Sequence, residues 1–307
     1  MSVIQFGPEE VREAVTMREA IAAVRSSFVD LANGGFEMPV RTVLSDGRFL
    51  VMTAHHRPSR SAMVKTLSLN FESRTPSILG TVTWSSLDAV TQVVADAAAV
   101  TALRTGAVSG VATDLLAPAE ASSCAVIGAG AQGADQARAV HAVRPLSLLE
   151  VVDRDLMRAE DLCRRLSAEF GGEVEVRASS DAAKAVEGKD VICCATTARE
   201  PVFPADALAE HAHVNAIGAF RPTMREVPEQ LLAESVIVVD EREAALEEAG
   251  EIIDALASGA IQEEDLVELG VALQSPPAAL GRTVFKSVGV AVQDWAIADL
   301  LARRSVQ

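Results

Sequence analysis

The chain has 307 residues, enough for one large or two medium domains with a substantial core. Hydrophobic residues make up 49% and charged residues 23%, the balance of a folded globular protein rather than a disordered one. A formal net charge of −16 sets the chain against phosphate backbones and anionic membrane surfaces, so neither nucleic acid nor membrane is an expected partner.

The N-terminal MSVIQFGPEEVREAV lacks a basic stretch followed by an apolar one, so no signal peptide is expected. The longest apolar runs fall short of the ~20 residues a membrane span needs. Residues 8–34 carry apolar side chains at helical spacing and end at Gly34-Gly35, which predicts one helix. From Met38 to Ser85 the texture turns to short β-rich pieces: MPVRTVL, RFLVMTAH, SAMVKTLSL and ILGTVTW. Turn formers separate them, predicting an antiparallel or mixed sheet. Asp96 to about Val108 is Ala-rich and reads as a helix carrying Arg104.

Beyond Ala117-Pro118-Ala119 strands and helices alternate. CAVIGAG, LSLLEVVD, VEVRA, DVICCATT, HVNAIGA and SVIVVD read as strands, with GADQARAVHAV, RAEDLCRRLSAEF and DAAKAVEG as helices between them. This alternation predicts βαβ crossovers and a parallel sheet covered on both faces. Residues 241–280 read as acidic, helical and loop-rich, and FKSVGVAVQDWAIADLLARR closes the chain with a strand and a helix. Cys124, Cys163, Cys193 and Cys194 form no C-x-x-C pair and read as small buried hydrophobes in a reducing, cytoplasmic setting.

The turn Gly128-Ala129-Gly130-Ala131-Gln132-Gly133 joins an apolar strand to an amphipathic helix. The next strand ends in an acid, Asp153, 25 positions after Gly128. Each part has a task in holding a dinucleotide. Gly128 permits the sharp turn, Gly130 lets backbone N–H groups approach the pyrophosphate, and Gly133 lets helix and strand pack closely. The helix N-terminus offers unpaired N–H groups to the phosphates. Asp153 suits ribose hydroxyls and favours NAD, whereas Arg154 could pair with the 2′-phosphate of NADP, and both cofactors stay open.

In the first half, Arg41 lies in MPVRTVL, Lys65 in MVKTLSLN and Arg104 in TALRTGAVSG. With VIGAGAQG, VNAIGAFRP and KSVGVAVQD, these segments closely resemble the ornithine cyclodeaminase/mu-crystallin family, in the same order along nearly the whole chain. The resemblance implies a doubly wound Rossmann domain, residues 116–284, inserted into an α+β substrate and dimerisation domain formed by residues 1–115 and 285–307. It implies a homodimer acting on a small imino or amino acid. It implies that Arg41, Lys65 and Arg104 bind the substrate carboxylate, a task suited to guanidinium forks, with Phe220 and Arg221 beside it and Lys65 catalytic. Thr113, Ala131, Gln132, Thr196, Ile217, Lys286 and Ser287 match cofactor positions, joining Gly128, Gly130, Gly133, Asp153 and Arg154.

The family's activities include ornithine cyclodeamination, alanine dehydrogenation and reduction of cyclic or open ketimines. Ornithine cyclodeaminase carries an aspartate two residues after the glycine of its NAVG-type strand, and the matching position here is Phe220. Phenylalanine cannot take a proton from the substrate amine, which argues against cyclodeamination. The A-F-R-P segment instead resembles reductases of Δ1-pyrroline-2-carboxylate and Δ1-piperideine-2-carboxylate. The expected activity is therefore NAD(P)H-dependent reduction of a ketimine carboxylate to an amino acid, with cyclodeaminase and alanine-dehydrogenase chemistry as alternatives. His55-His56 and His211/His213 lack further ligands at metal spacing, so no metal is expected. Asp294 reads either as a neighbour of the nicotinamide or as a cap of the last helix.

Overall fold

The computed structural model describes residues 2–70, 78–278 and 281–305. Its contacts divide the chain into two compact units, residues 1–108 with 290–307 and residues 109–289. The N-terminal part starts with a strand the sequence did not announce, β1 (Ser2–Phe6), followed by α1 (Pro8–Ala14) and α2 (Met17–Ala32). One helix was expected across 8–34, but it breaks at Val15-Thr16. There Thr16 and Glu19 form a reciprocal capping box, with Thr16 N to Glu19 Oε2 at 2.9 Å and Glu19 N to Thr16 Oγ1 at 3.3 Å. A new N-cap outweighs continuity because it satisfies backbone donors that a helix start leaves bare.

Next come β2 (Phe36–Glu37), β3 (Thr42–Leu44), β4 (Phe49–His56), β5 (Ser61–Leu69), β6 (Ile78–Ser86), β7 (Thr91–Asp96) and α3 (Ala97–Leu116). Of MPVRTVL only Thr42–Leu44 is strand, and Pro39 in the preceding stretch has no N–H for a ladder. The sheet runs β1-β7-β6-β5-β4-β2, with β3 also on β4, and every pair but β1–β7 is antiparallel. Along β5 the side chains alternate: Ser61, Met63, Lys65, Leu67 and Leu69 are buried, while Val64 and Thr66 face out. Period-two geometry thus puts Lys65 on the core face, opposite Met52 on β4 and Val82 on β6.

The other unit contains β8 (Ser123–Ile127), α4 (Gly133–Val143), β9 (Leu148–Val152), α5 (Leu156–Glu169), β10 (Glu175–Ser179), α6 (Ala182–Val186), β11 (Val191–Cys194) and β12 (His213–Ala216). It continues with α7 (Glu229–Ala233), β13 (Val236–Val239), α8 (Arg242–Glu248), α9 (Gly250–Ser258), β14 (Leu266–Glu268), α10 (Leu269–Gln274) and β15 (Thr283–Lys286). Eight strands pair in parallel in the order β10-β9-β8-β11-β12-β15-β13-β14. This is the expected doubly wound sheet. Strand order reverses between β8 and β11, where open α/β sheets bind ligands beyond the carboxyl ends of their strands. Cys193 and Cys194 are both buried on β11, and all four cysteines are free thiols.

The chain then returns to the first unit with α11 (Ala291–Arg304). This helix is buried along most of its length and packs against α2 and β4–β7. Trp295 Nε1 donates to Ser61 Oγ at 3.0 Å and sits edge-on to Phe36, while Arg304 pairs with Glu19.

In the parallel sheet, His213 is fully buried at the start of β12, with Nδ1 2.8 Å from Thr283 Oγ1 and Nε2 3.2 Å from Asn215 Oδ1. The Asn215 amide donates to Thr113 Oγ1 at 2.9 Å, so its carbonyl oxygen faces the ring and selects the neutral Nε2–H tautomer. Burial lowers the His213 pKa from 6.5 to about 4. The unfolded chain binds this proton below pH 6.5 and the folded chain does not. The stability from neutral His213 is therefore complete above pH 6.5 and is lost as pH falls toward about 4, by roughly 3 kcal/mol. Thermal melts between pH 7 and pH 4 will show a shallower loss of Tm in His213→Gln than in the parent chain; equal slopes would refute the assignment.

Candidate functional site

In the first unit the three expected cations converge. Lys65 Nζ donates to Asp294 Oδ1 at 2.7 Å and to Thr101 Oγ1 at 2.6 Å. Thr101 passes its own proton to the Ala97 carbonyl, which fixes the direction of that bond. Arg104 lies one helical turn after Thr101, places Nε 3.4 Å from Asp294 Oδ1, and hydrogen-bonds Gln293 through Nη1. Arg41, half-buried between β2 and β3, lies within electrostatic reach of Lys65.

Lys65 and Arg104 thus share one carboxylate, with Arg41 within electrostatic reach of Lys65. Burial lowers the Lys65 pKa to about 8; Arg104 and Arg41 push it the same way, and Asp294 opposes them. An ammonium in this state is charged at neutral pH yet close to releasing its proton. Lys65 uses two of its three N–H groups on Thr101 and Asp294. Among the described residues, Asp294 Oδ2 and Gln293 Nε2 are buried with no hydrogen-bond partner. Excess positive charge with unspent polar atoms fits an anionic ligand carrying a further polar group.

Asp294 and Gln293 stand in the first turn of α11, behind the N-cap residue Val290. Asp294 caps nothing; its carboxylate is the counterion of Lys65. Sequence reasoning left Asp294 undecided and missed Gln293 and Thr101. One signal was available: a lysine on the core face of an apolar strand demands a buried acid.

In the second unit the glycine turn is sterically tight at two of its three glycines. Gly128 has φ +109°, and a Cβ there would lie 2.5 Å from the Ala195 carbonyl oxygen. A Cβ on Gly133 would lie 2.3 Å from the Gly128 carbonyl oxygen, so helix α4 starts hard against the turn. A Cβ on Gly130 would meet nothing within 4 Å, which leaves room at the helix N-terminus for a pyrophosphate. Ala131 is exposed beside it, and Gln132 is the N-cap position of α4. Asp153, just past β9, accepts from Ala129 N on Oδ2 and from Asp155 N on Oδ1, both at 3.0 Å. Arg154 next to it is exposed. These residues fit a dinucleotide with ribose hydroxyls at Asp153.

The remaining expected positions end or follow strands β11, β12 and β15, apart from Thr113 on α3, and several have side chains committed within the protein. Thr113 Oγ1 is held by Asn215, and Ser287 Oγ donates to Asp240 Oδ2 at 2.7 Å. Lys286 Nζ donates to Glu251 Oε1 at 2.8 Å and to the Ala219 carbonyl at 2.5 Å. Ile217 is buried and its N–H bonds the Cys194 carbonyl at 3.0 Å. Thr196 gives its N–H and hydroxyl to Glu226, a buried acid that sequence reasoning did not single out. Arg221 lies over the Phe220 ring, 5.5 Å from its centroid. Among the described residues no group of three His, Cys, Asp or Glu could hold a metal, and no helix is long and apolar enough to cross a membrane.

Known proteins share this arrangement of sequence and fold. A Δ1-pyrroline-2-carboxylate reductase of Bacillus cereus is 37% identical over 215 residues, 67% of this chain and 65% of that protein. The ketimine reductase mu-crystallin of Mus musculus is 31% identical over 303 residues, 95% of this chain and 93% of its own. Among solved structures, a Thermococcus litoralis Δ1-pyrroline-2-carboxylate reductase in complex with NADH and L-proline superposes with a TM-score of 0.92. It is 29% identical, and the match covers 99% of this chain and 97% of that one. Residues 6–307 match the profile of the ornithine cyclodeaminase/mu-crystallin family, and the chain belongs to that family.

Proposed function

We propose that this protein is an NAD(P)H-dependent reductase of ketimine carboxylates of the Δ1-pyrroline-2-carboxylate type. The observation that carries this reading is the buried Asp294 carboxylate shared by Lys65 and Arg104, with half-buried Arg41 within electrostatic reach of Lys65. The similarity to reductases of such imines, one of them held with NADH and L-proline, supports it. When bound at the glycine turn, the reduced nicotinamide supplies the hydride. Arg41 and Arg104 clamp the substrate carboxylate, which fixes the adjacent imine carbon in one pose. Lys65, held by Thr101 and Asp294, directs its remaining N–H at the substrate and provides the proton for the imine nitrogen. Hydride on carbon and proton on nitrogen together complete the amine. Phe220 offers an apolar surface to the methylene edge of a cyclic imine, and Asp153 favours NADH over NADPH.

The reaction is followed by loss of NADH absorbance with Δ1-pyrroline-2-carboxylate. Lys65→Met will lower turnover by about 10³-fold while leaving NADH affinity nearly unchanged. The unmodified chain will use NADH at least about tenfold more efficiently than NADPH, a difference near 1.4 kcal/mol. Unchanged turnover in Lys65→Met sinks the assignment, and ammonia release from ornithine without net loss of NADH would favour the cyclodeaminase alternative.

The state of Lys65 also sets a pH dependence. As pH rises through about 8 the ammonium loses its proton, so kcat/KM falls on the alkaline side. Asp294 raises the Lys65 pKa, and removing its charge moves that limb to lower pH. The pH profile of Asp294→Asn will break earlier than that of the parent; a limb that stays put assigns the titration to another group.

We further propose a homodimer working in the cytoplasm. The outward face of the first sheet carries Phe49, Val51, Val64 and Leu79, with Phe49, Ser68 and Leu79 in one cross-strand row. Phe49 is 51% exposed, Val64 42% and Leu79 43%, an apolar patch of the kind that marks an interface. Sedimentation will give a dimer mass for the parent chain and a monomer for Val64→Glu. A monomeric parent would refute this.

A further inference from the structure

Beyond β11 and β12 the chain forms two loops that touch through their backbones. A Cβ on Gly218 would lie 2.2 Å from the Thr196 carbonyl oxygen and 2.4 Å from its nitrogen, so only glycine permits the approach. The contact is closed by one carboxylate. Glu226, fully buried, accepts from Thr196 N at 2.6 Å and Thr196 Oγ1 at 2.8 Å on Oε1, and from Gly218 N at 2.6 Å and Ala219 N at 3.0 Å on Oε2. All four partners donate, which only the ionised carboxylate satisfies. Burial and Glu251 push its pKa upward, and Lys286 opposes them. Lys286, at the end of the neighbouring β15, takes the Ala219 carbonyl and the Glu251 carboxylate.

The peptide groups flanking Ala219 are thus held at both ends by buried charges of opposite sign. The next residues are Phe220 and Arg221. These loops follow the strands beside the switch point, where the reacting end of a dinucleotide is held in open α/β sheets.

We propose that Glu226, with Lys286 as its electrostatic partner, is a positioning residue for the reduction proposed above, locking the Thr196 and Gly218–Ala219 loops so that Phe220 is held in a single place. This rests on the reductase reading. It assigns Glu226 no contact with substrate and no part in proton transfer. A buried carboxylate saturated by donors is costly to assemble, and its value here lies in fixing the Thr196 and Gly218–Ala219 backbones, which the isolated bridge between Arg199 and Arg225 further along the loops does not reach. Replacing Glu226 by Gln turns an amide NH₂ toward at least one backbone N–H, so one loop is released.

The test compares Glu226→Gln with the parent. Expected are a fall in kcat of about 10²-fold per NADH-binding site and NADH affinity within about threefold. A larger primary isotope effect with 4-deuterated NADH is also expected, because hydride transfer becomes limiting. Amide hydrogen exchange across residues 215–222 will accelerate at least tenfold. Unchanged exchange in that segment overturns the clamp. So does a kcat, counted per NADH-binding site, equal to that of the parent, because a purely structural residue would lower only the number of sites. If Glu226→Gln does not fold, Glu226→Asp serves. It keeps the charge but not the reach, and must show the same pattern in milder form; parent-like exchange and kcat would overturn the proposal. Absence of imine reduction by the parent would sink the reductase reading instead, while the exchange measurement still decides whether Glu226 holds the loops.

Discussion

The cost of burying charge governs this molecule. Isolated ions pay several kcal/mol to leave water, so each buried one must find a partner of opposite sign or a set of aimed dipoles. Lys65, Asp294, Glu226 and Lys286 are all fully buried. Glu226 and Lys286 solve the problem for good: the acid is saturated by three backbone N–H groups and the Thr196 hydroxyl, and the ammonium by Glu251 and a carbonyl. Lys65 solves it only in part. Its partner Asp294 is shared with Arg104, Arg41 stands near, and among the described residues polar atoms beside it stay unspent. The first pair is closed within the fold, whereas the second leaves Asp294 Oδ2 and Gln293 Nε2 without partners among the described residues. A carboxylate-bearing substrate would complete the neutralisation that Asp294 begins.

Much of this was legible in the sequence because the relevant signals are local. Parallel strands covered on both faces read as continuous apolar runs, and CAVI, LLEVV, VICC and VIVV lie at β8, β9, β11 and β13. The glycine turn was legible because each glycine answers a separate steric demand, and two of those demands show as backbone clashes for any added Cβ. The first unit was harder. Strand β7 merges with the Ala-rich start of α3, and the boundary is set by Asp96, whose carboxylate accepts from Ala99 N at 2.8 Å. Strand β1 is five residues long and has meaning only beside β7, to which it pairs in parallel.

The side-chain partnerships were the least legible, for one physical reason. Lys65 and Asp294 are 229 residues apart, and Thr196 and Glu226 are 30 apart with the whole of β12 between them. No periodicity links such pairs; only the fold brings them together. The inserted topology adds a consequence. The acid that neutralises Lys65 arrives on α11, after the whole second unit has been traced. Until α11 docks against β4–β7, the inner face of β5 presents an uncompensated lysine among Met63, Leu67 and Leu69. The first unit's core and its buried Lys65–Asp294 pair are therefore completed by the same step.

That dependence also bears on Phe220. Cyclodeamination needs a group that accepts a proton from the substrate ammonium, and position 220 supplies none. Asp294 is an acid within the cation cluster, but it cannot take over the task cheaply. Its Oδ1 is the acceptor that holds Lys65 and faces Arg104, so protonating it would leave buried cations without their counterion. Imine reduction asks for the reverse, a proton delivered rather than taken. In the reduction proposed above, an ammonium lowered to about 8 and steered by Thr101 and Asp294 would supply that proton with no further acid. In the proposed reduction the base missing at position 220 is not needed, and the buried ammonium of Lys65 serves as the acid.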